Sequence, residues 1–177
     1  MISEEKDDMF GAMPGVQADS VPSVQSGTDA ADAVVPDGKV MVIGIGGSGA
    51  KTVTALSALP EAKWIQTAVI DTDKDSLDEC VSRNILRAEA DWTLRNGIGC
   101  GGDIMKGERA IARERSKINA LLEGVSMLIV TGGLGGGTAT GGMRTIASVA
   151  RNASIPTVFM PTTPFAFEAY SRRKNAE

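Results

Sequence analysis

Three stretches that are almost empty of side chains are the parts of this sequence best suited to chemistry. They are Gly44-Ile45-Gly46-Gly47-Ser48-Gly49-Ala50-Lys51-Thr52, Gly97-Ile98-Gly99-Cys100-Gly101-Gly102, and Gly132-Gly133-Leu134-Gly135-Gly136-Gly137-Thr138-Ala139-Thr140-Gly141-Gly142. A phosphate group needs closely spaced backbone N–H donors with no Cβ in the way, and glycine supplies both the unusual backbone angles and the close approach. A helix that follows such a stretch adds the partial positive charge of its N-terminus. The chain has no histidine, which removes Ser-His triads, histidine acid–base chemistry and histidine-containing zinc sites.

Taken alone, the first stretch points to a dinucleotide. Gly44, Gly46 and Gly49 fit G-x-G-x-x-G, and Asp71 follows Gly49 by 22 residues, where a ribose-binding acid would stand. A P-loop is excluded because Ala50 intrudes between Gly49 and Lys51. The third stretch changes the reading. It holds seven glycines in eleven residues and follows an apolar run, Met127–Thr131, so it is not a free linker. A dinucleotide fold has no use for a second cradle of this kind. Two cradles at strand ends imply a longer polyphosphate gripped from two sides.

The elements that must position these stretches read as alternating strands and helices. Val40–Ile43, Ile65–Ile70, Ile85–Ala88, Met127–Thr131 and Thr157–Met160 are short apolar runs of the kind found in strands covered on both faces. Helices are expected over Thr52–Leu59, Ser76–Val81, Gly107–Glu123, from the third stretch to about Ala153, and over Ala169–Ala176. In the helix 107–123, Ile111, Ile118 and Leu122 share one face and Gly124 stands at the C-cap. This alternation predicts an α/β fold, a three-layer, Rossmann-like parallel sheet with right-handed crossovers. Ligands of such sheets sit at the carboxyl ends of the strands, which is where all three stretches fall.

Residues 1–38 read differently. They carry eight acids against one base, a net −7, and are rich in Ser, Gly, Pro, Ala and Asp, which predicts a disordered acidic tail. Residues 39–177 carry 14 acids and 17 bases, a net +3, which suits an anionic ligand and is too weak to argue for nucleic acid. The N-terminus lacks the apolar core of a signal peptide, and no apolar run nears the roughly 18 residues of a membrane span. With Cys80 and Cys100 as isolated thiols, the expected compartment is the cytoplasm, with no direct membrane insertion.

From Lys39 onward the chain resembles the tubulin/FtsZ family, in particular its bacterial FtsZ branch. Gly135 to Gly141 matches the signature Gly-Gly-Gly-Thr-Gly-Ser/Thr-Gly, with Ala139 in place of one glycine. Val42-Ile43-Gly44-Ile45-Gly46-Gly47 matches the first nucleotide loop, and Asp71-Thr72-Asp73 resembles the Asn-Thr-Asp that follows the second strand. Gly97–Gly102 resembles the third loop, and Thr162-Thr163-Pro164-Phe165-Ala166-Phe167-Glu168 the fifth. The resemblance implies GTP or GDP at the strand edge, and allows a Mg2+ ion with it. Gly46, Gly47, Ser48, Gly49 and Ala50 would surround the phosphates, together with Gly135, Gly136, Gly137, Thr138 and Ala139. Glu168 would meet the ribose, and Arg172 would lie beside the nucleotide. Asp73 and Gly101 are site residues by the same resemblance.

Departures from the family pattern qualify what the resemblance implies. Lys51 stands where the family has an asparagine near the base; lysine has no acceptor but could reach a phosphate instead. Ser48 and Ala50 each replace a glycine, Asp103-Ile104-Met105 replaces Asn-Pro-Glu, and Thr163 replaces a basic residue. If Ala139 had to adopt a positive φ, the strain would cost roughly 1–2 kcal/mol, close to a tenfold loss in affinity. The sequence contains no counterpart of the family's long central helix, second domain or acidic loop. The domain is therefore expected to be C-terminally incomplete, a truncated copy or a fragment, and hydrolysis by this chain alone is not expected. An apolar sheet face beyond the strand 157–160 is expected to lack cover.

The resulting expectation is guanine-nucleotide binding as part of an FtsZ-like cytoskeletal and cell-division GTPase, hydrolysing only in a complete protein or filament. Its partners would be a guanine nucleotide and either itself or a full-length FtsZ-like protein. Two alternatives stay open. One is a nucleotide-blind module that caps or poisons filaments of a complete relative; the other is an NAD-dependent oxidoreductase built on the first stretch and Asp71.

Overall fold

The computed structural model describes residues 38–90 and 96–177. Of the acidic tail 1–38, expected to be disordered, residues 1–37 lie outside them. Five strands form one parallel sheet: β1 (Lys39–Ile45), β2 (Gln66–Asp71), β3 (Asn84–Arg87), β4 (Val125–Gly133) and β5 (Thr157–Thr162), in the order β3-β2-β1-β4-β5. The apolar run of β1 takes the centre, where both faces are covered. Met41 to Ile45 are all buried.

Helices α1 (Gly46–Ser57) and α2 (Lys74–Asp78) cover one face, around Val42, Val53, Val69 and Leu77. Helices α3 (Ile104–Arg113), α4 (Arg115–Leu121) and α5 (Gly137–Asn152) cover the other, around Ile43, Ile70, Ile111, Ile118, Leu128 and Ile146. These two covered faces make the fold three-layered, as the alternation of elements predicts. Each fully buried Ile or Leu contributes about 1.5–3 kcal/mol relative to exposure, so the sheet is a rigid base for the loops at its ends.

Register delivers those loops to one edge. Ile45 pairs with Ile70 on one side and with Gly132 on the other, and Gly133 pairs with Thr162. The ends of β1, β2, β4 and β5 therefore lie side by side, and the glycine stretches leave from β1 and β4.

Three helices differ from expectation. Helix α2 occupies Lys74–Asp78 rather than 76–81, because the Asp73 carboxylate caps it by accepting from Asp75 N–H. Helix α1 begins at Gly46 rather than Thr52, so the first glycine stretch is itself the opening turn of the helix. Gly44 and Gly49 pack backbone to backbone: a Cβ on Gly49 would lie 2.7 Å from the Gly44 carbonyl carbon and 2.9 Å from the Thr131 carbonyl oxygen. The single helix expected over 107–123 is two helices. It starts earlier because the Asp103 carboxylate accepts from Lys106 N–H at 3.0 Å and caps α3. It breaks at Glu114 (φ −92°, ψ 11°), whose carboxylate turns inward, pairs with Lys117 at 2.7 Å and is 8% exposed. Ile111 and Ile118 keep to the core on either side of the break, so apolar spacing alone does not reveal it.

The last strand is poorly covered. Val158 and Met160 are 43% and 59% exposed, and Met127, on the same face, is 37% exposed. Phe159 on the opposite face is also 37% exposed. A short helix, α6 (Tyr170–Ala176), ends the chain and contains no buried residue. Among the described residues no helix is long and apolar enough to cross a membrane.

Candidate functional site

The first and third glycine stretches meet. Strand β1 hands over to α1 at Gly46, whose φ of +69° is a left-handed turn that favours glycine. A Cβ on Gly46 would stand 3.6 Å from the Ala139 Cβ and backbone N and 3.7 Å from the Thr138 Cβ. A Cβ on Gly133 would lie 3.0 Å from the Ser48 Cβ. The N-terminal turns of α1 and α5 are thus neighbours, and the free N–H groups and positive ends of two helices share one place.

Not every glycine of the third stretch faces open space. Gly136, the N-cap of α5 (φ −86°, ψ 162°), is open: a Cβ there would meet only the Gly133 carbonyl oxygen, at 4.0 Å. Gly137 has no such room, because a Cβ there would lie 2.6 Å from the Cys100 Cβ and 2.7 Å from the Asp103 carbonyl. Gly141 abuts the backbone of Ile104 and Glu108, and a Cβ on Gly142 would sit 2.8 Å from Ile111 Cγ1. These three glycines let α5 cross α3 closely. The stretch is half cradle and half helix-packing surface.

Ala139 does not adopt a positive φ. It lies in the first turns of α5, 3% exposed, and Ser154 is the only non-glycine residue with positive φ among those described. The conditional strain and its tenfold affinity loss therefore do not arise. The helix reaches back to Gly137, so this position needs an ordinary helical backbone.

A buried polar cluster ties three of the predicted stretches together. The Thr72 and Thr138 hydroxyls lie 2.7 Å apart, and Cys100 Sγ is 3.3 Å from Thr72 Oγ1. Cys100 thus joins the second glycine stretch to the end of β2 and the start of α5. The sequence offered only a small, isolated thiol here; its partners are 28 and 38 residues away. Gly101 and Gly102, with φ of +58° and +84°, form an open tip with nothing within 4 Å of an added Cβ.

The acids of the second strand end divide their work. Asp73 caps α2, accepting from Asp75 N–H at 3.0 Å. Asp71 is 2% exposed; its Oδ1 accepts from Thr72 N–H at 2.7 Å and Asp73 N–H at 3.4 Å, while Oδ2 has no hydrogen-bond partner. Burial pushes the Asp71 carboxyl above its ordinary 3.8, against the opposing pull of the Thr72 amide and the nearby Ser76 hydroxyl. Burial likewise raises the Cys80 thiol, which makes it a poor nucleophile.

Lys51 lies in the second turn of α1, exposed. It borders a hollow of about 260 Å³ whose other walls include Gly47, Ala50, Ser76 and Glu79. Glu168 and Arg172 form the i,i+4 pair that their spacing permits, with Nη1 to Oε2 at 3.4 Å, and Glu168 Oε1 accepts from Phe165 N–H at 2.9 Å. Both Glu168 oxygens are engaged within its own segment. The backbone carbonyl of Arg172 packs against Gly135. A residue that sequence reasoning missed is Asn175: its amide donates to Gly102 O at 3.0 Å and to Gly135 O at 3.3 Å, bridging two glycine stretches. No local pattern marks such a bridge.

The molecule is therefore a parallel α/β domain in which two central strands hand over, through glycine, to helices whose N-termini converge at the carboxyl edge. Residues 39–177 match the Tubulin/FtsZ family, GTPase domain, and the chain belongs to that family. It is 37% identical over 140 residues to the cell division protein FtsZ of Methanothermobacter thermautotrophicus, covering 78% of this chain and 36% of the relative. Among solved structures, the empty FtsZ dimer of M. jannaschii superposes with a TM-score of 0.71 at 32% identity, over 78% of this chain and 40% of that one. CetZ2 from Haloferax volcanii, solved as a GTPγS-bound protofilament, gives 0.69 at 25% identity, over 78% and 43%. The chain thus spans well under half the length of these relatives.

Proposed function

We propose that this domain binds GTP and GDP across the paired N-termini of α1 and α5, as the nucleotide-binding part of an FtsZ-like cytoskeletal and cell-division protein. The observation that supports this reading most is the approach of Gly46 to Thr138 and Ala139, within 3.6–3.7 Å of a Cβ position. Amides of Gly46 to Ala50 on one side, and of Gly136 to Thr138 on the other, would hold a phosphate chain between them, while the Gly135 N–H already donates to Thr140 Oγ1 at 2.9 Å. Lys51, one turn into α1, has the reach to add a cation. Four or five charge-assisted hydrogen bonds of roughly 1.5–3 kcal/mol each are enough to approach the roughly −8 kcal/mol of micromolar binding.

Glu168 and Arg172 are proposed for the ribose side, which requires their mutual ion pair to open; an exposed pair of this kind costs only about 0–1 kcal/mol to break. Among the described residues no group of three or more potential metal ligands is assembled. A Mg2+ ion would accordingly be held mainly by phosphate oxygens and water, with one or two carboxylates at most. Hydrolysis is assigned to the complete protein or its filament, and self-association or association with a full-length relative, in the cytoplasm, is part of the same reading.

Titrating the purified chain with fluorescent GTP, GDP, ATP and NAD tests the proposal. Saturable binding of both guanine nucleotides is expected; indifference to both removes it. A second reading, a nucleotide-blind module acting on filaments of a relative, is favoured by one observation, the Asn175 amide lying across Gly102 and Gly135. Co-sedimentation with a full-length relative that proceeds equally with and without GTP would select it. The oxidoreductase alternative gains no support from the comparisons, and leaves the open Gly136 surface without a role.

A further inference from the structure

We propose that the outer side of α5, with α4 beside it, is a docking face for the acidic segment 29–37 of a second copy of this chain. The proposal takes up the self-association in the reading above but needs no nucleotide. Residues 104–152 carry seven bases and three acids, a net +4, whereas residues 39–177 as a whole carry +3. The positive charge of the domain is therefore concentrated on the helices of one face. Arg144 and Arg151 are exposed and lie four residues before and three after Ser148, on the same side of α5. Arg115 reaches across from α4 and donates from Nη1 to Ser148 Oγ at 3.4 Å. Among the described residues none of these three arginines is in an ion pair, while Lys117, two residues on from Arg115, is matched by Glu114.

The composition of the face selects the kind of anion. No large apolar side chain is exposed on α4 or α5. Nothing there would enter a bilayer, which favours an acidic peptide over a lipid surface. Arg144 and Arg151 stand about 10 Å apart along the helix, at 1.5 Å per residue. The segment 29–37 carries carboxylates at Asp29, Asp32 and Asp37, with only alanines between the first two. In an extended peptide, carboxylates three residues apart are also about 10 Å apart, and Ala30 and Ala31 have no bulk to hold them off the helix. The segment of one copy on the face of the next is a heterologous contact, which extends from copy to copy as assembly requires.

The test uses the full chain and two variants of it, Arg144→Gln/Arg151→Gln and Asp29→Asn/Asp32→Asn/Asp37→Asn. Association is measured by sedimentation velocity at about 0.01 M and about 0.15 M salt, where the screening length is about 30 Å and about 8 Å. The parent should self-associate, more weakly at the higher salt. Each variant alone should lose roughly two- to thirtyfold in affinity, the range spanned by two exposed ion pairs. Mixing the two variants should restore it, because one still supplies the acidic segment and the other the basic face. Arg144→Lys/Arg151→Lys should retain most of the parent's affinity. A mixture that does not complement, or a parent whose association ignores salt, would overturn the proposal. So would an Arg144→Gln/Arg151→Gln chain that keeps its self-association but loses binding to phosphatidylserine vesicles, which would give the face to a membrane. Guanine-nucleotide titration of the same proteins is a separate readout: binding should match the parent in both variants, and its absence from all three removes the proposed function without touching this face.

Discussion

Thr72 and Thr138 meet hydroxyl to hydroxyl at 2.7 Å across 66 residues of sequence, both buried, with Cys100 Sγ 3.3 Å from the first. This contact fixes the end of β2 to the opening turn of α5 and sets the direction in which the α5 amides point. Thr72→Val keeps the shape and removes the hydroxyl. It should lower stability by about 1–3 kcal/mol, the cost of leaving a buried polar partner short of a bond, read as a lower urea midpoint. An unchanged midpoint would show that the cluster holds nothing together.

The glycines of the third stretch should separate into two classes by substitution. Gly141→Ala pushes a methyl into the backbone of α3 at Ile104 and Glu108 and should destabilise by about 1–3 kcal/mol or more. Gly136→Ala meets only open space and has an ordinary backbone angle, so its melting temperature should stay near that of the parent. Its nucleotide affinity should nevertheless fall, because the methyl faces where phosphate is proposed to sit. Loss of stability in Gly136→Ala, or its retention in Gly141→Ala, would reverse this assignment.

Asp71 should make the domain less stable as pH rises. Its carboxyl titrates above 3.8 in the folded chain because burial opposes the charge, so the folded state binds more protons than the unfolded state in the interval between the two values. Stability falls through that interval, and the penalty is fully present above the raised value. Asp71→Asn keeps the acceptor for the Thr72 amide, places a donor where Oδ2 is unpartnered, and removes the charge. The variant should be more stable at pH 7 by about 1–3 kcal/mol, with the advantage shrinking as pH falls from the raised value towards about 4 and absent below it. A variant equally destabilised at both pH values would contradict this account.

The uncovered face of β4 and β5 should govern behaviour at high concentration. Met127, Val158 and Met160 share one side of the sheet and are 37–59% exposed, and an apolar patch of that kind promotes association. Replacing Val158 and Met160 with Lys should reduce concentration-dependent light scattering while leaving the fold intact by circular dichroism. Undiminished scattering would place the sticky surface elsewhere.

Much of this architecture was legible because parallel strands buried on both faces must be nearly all apolar. Val40–Ile43 and Met127–Thr131 announce themselves in that way. Helix starts were harder. A run such as Gly46-Gly47-Ser48-Gly49 reads as a loop by propensity, yet it forms the first turn of α1 because Gly44 and Gly49 pack too closely for side chains. The same ambiguity hid the packing role of Gly137, Gly141 and Gly142. Asp103 is an ordinary N-cap and was readable in principle, three residues before Lys106. The break at Glu114 was not, because Ile111 and Ile118 keep their spacing across it. Contacts such as Thr72 with Cys100, or Asn175 with Gly102, join residues 28 and 73 apart and leave no trace in any local pattern.

The most direct test of the central claim is equilibrium binding of fluorescent GTP to the parent chain and to Gly46→Val. A side chain at Gly46 would stand in the seam between α1 and α5 and would have to adopt a φ of +69°. The account predicts saturable, micromolar binding by the parent and a loss of at least tenfold in the variant, with GDP following GTP. Tight binding retained by a folded Gly46→Val chain would contradict the proposal that the two helix N-termini grip one phosphate chain.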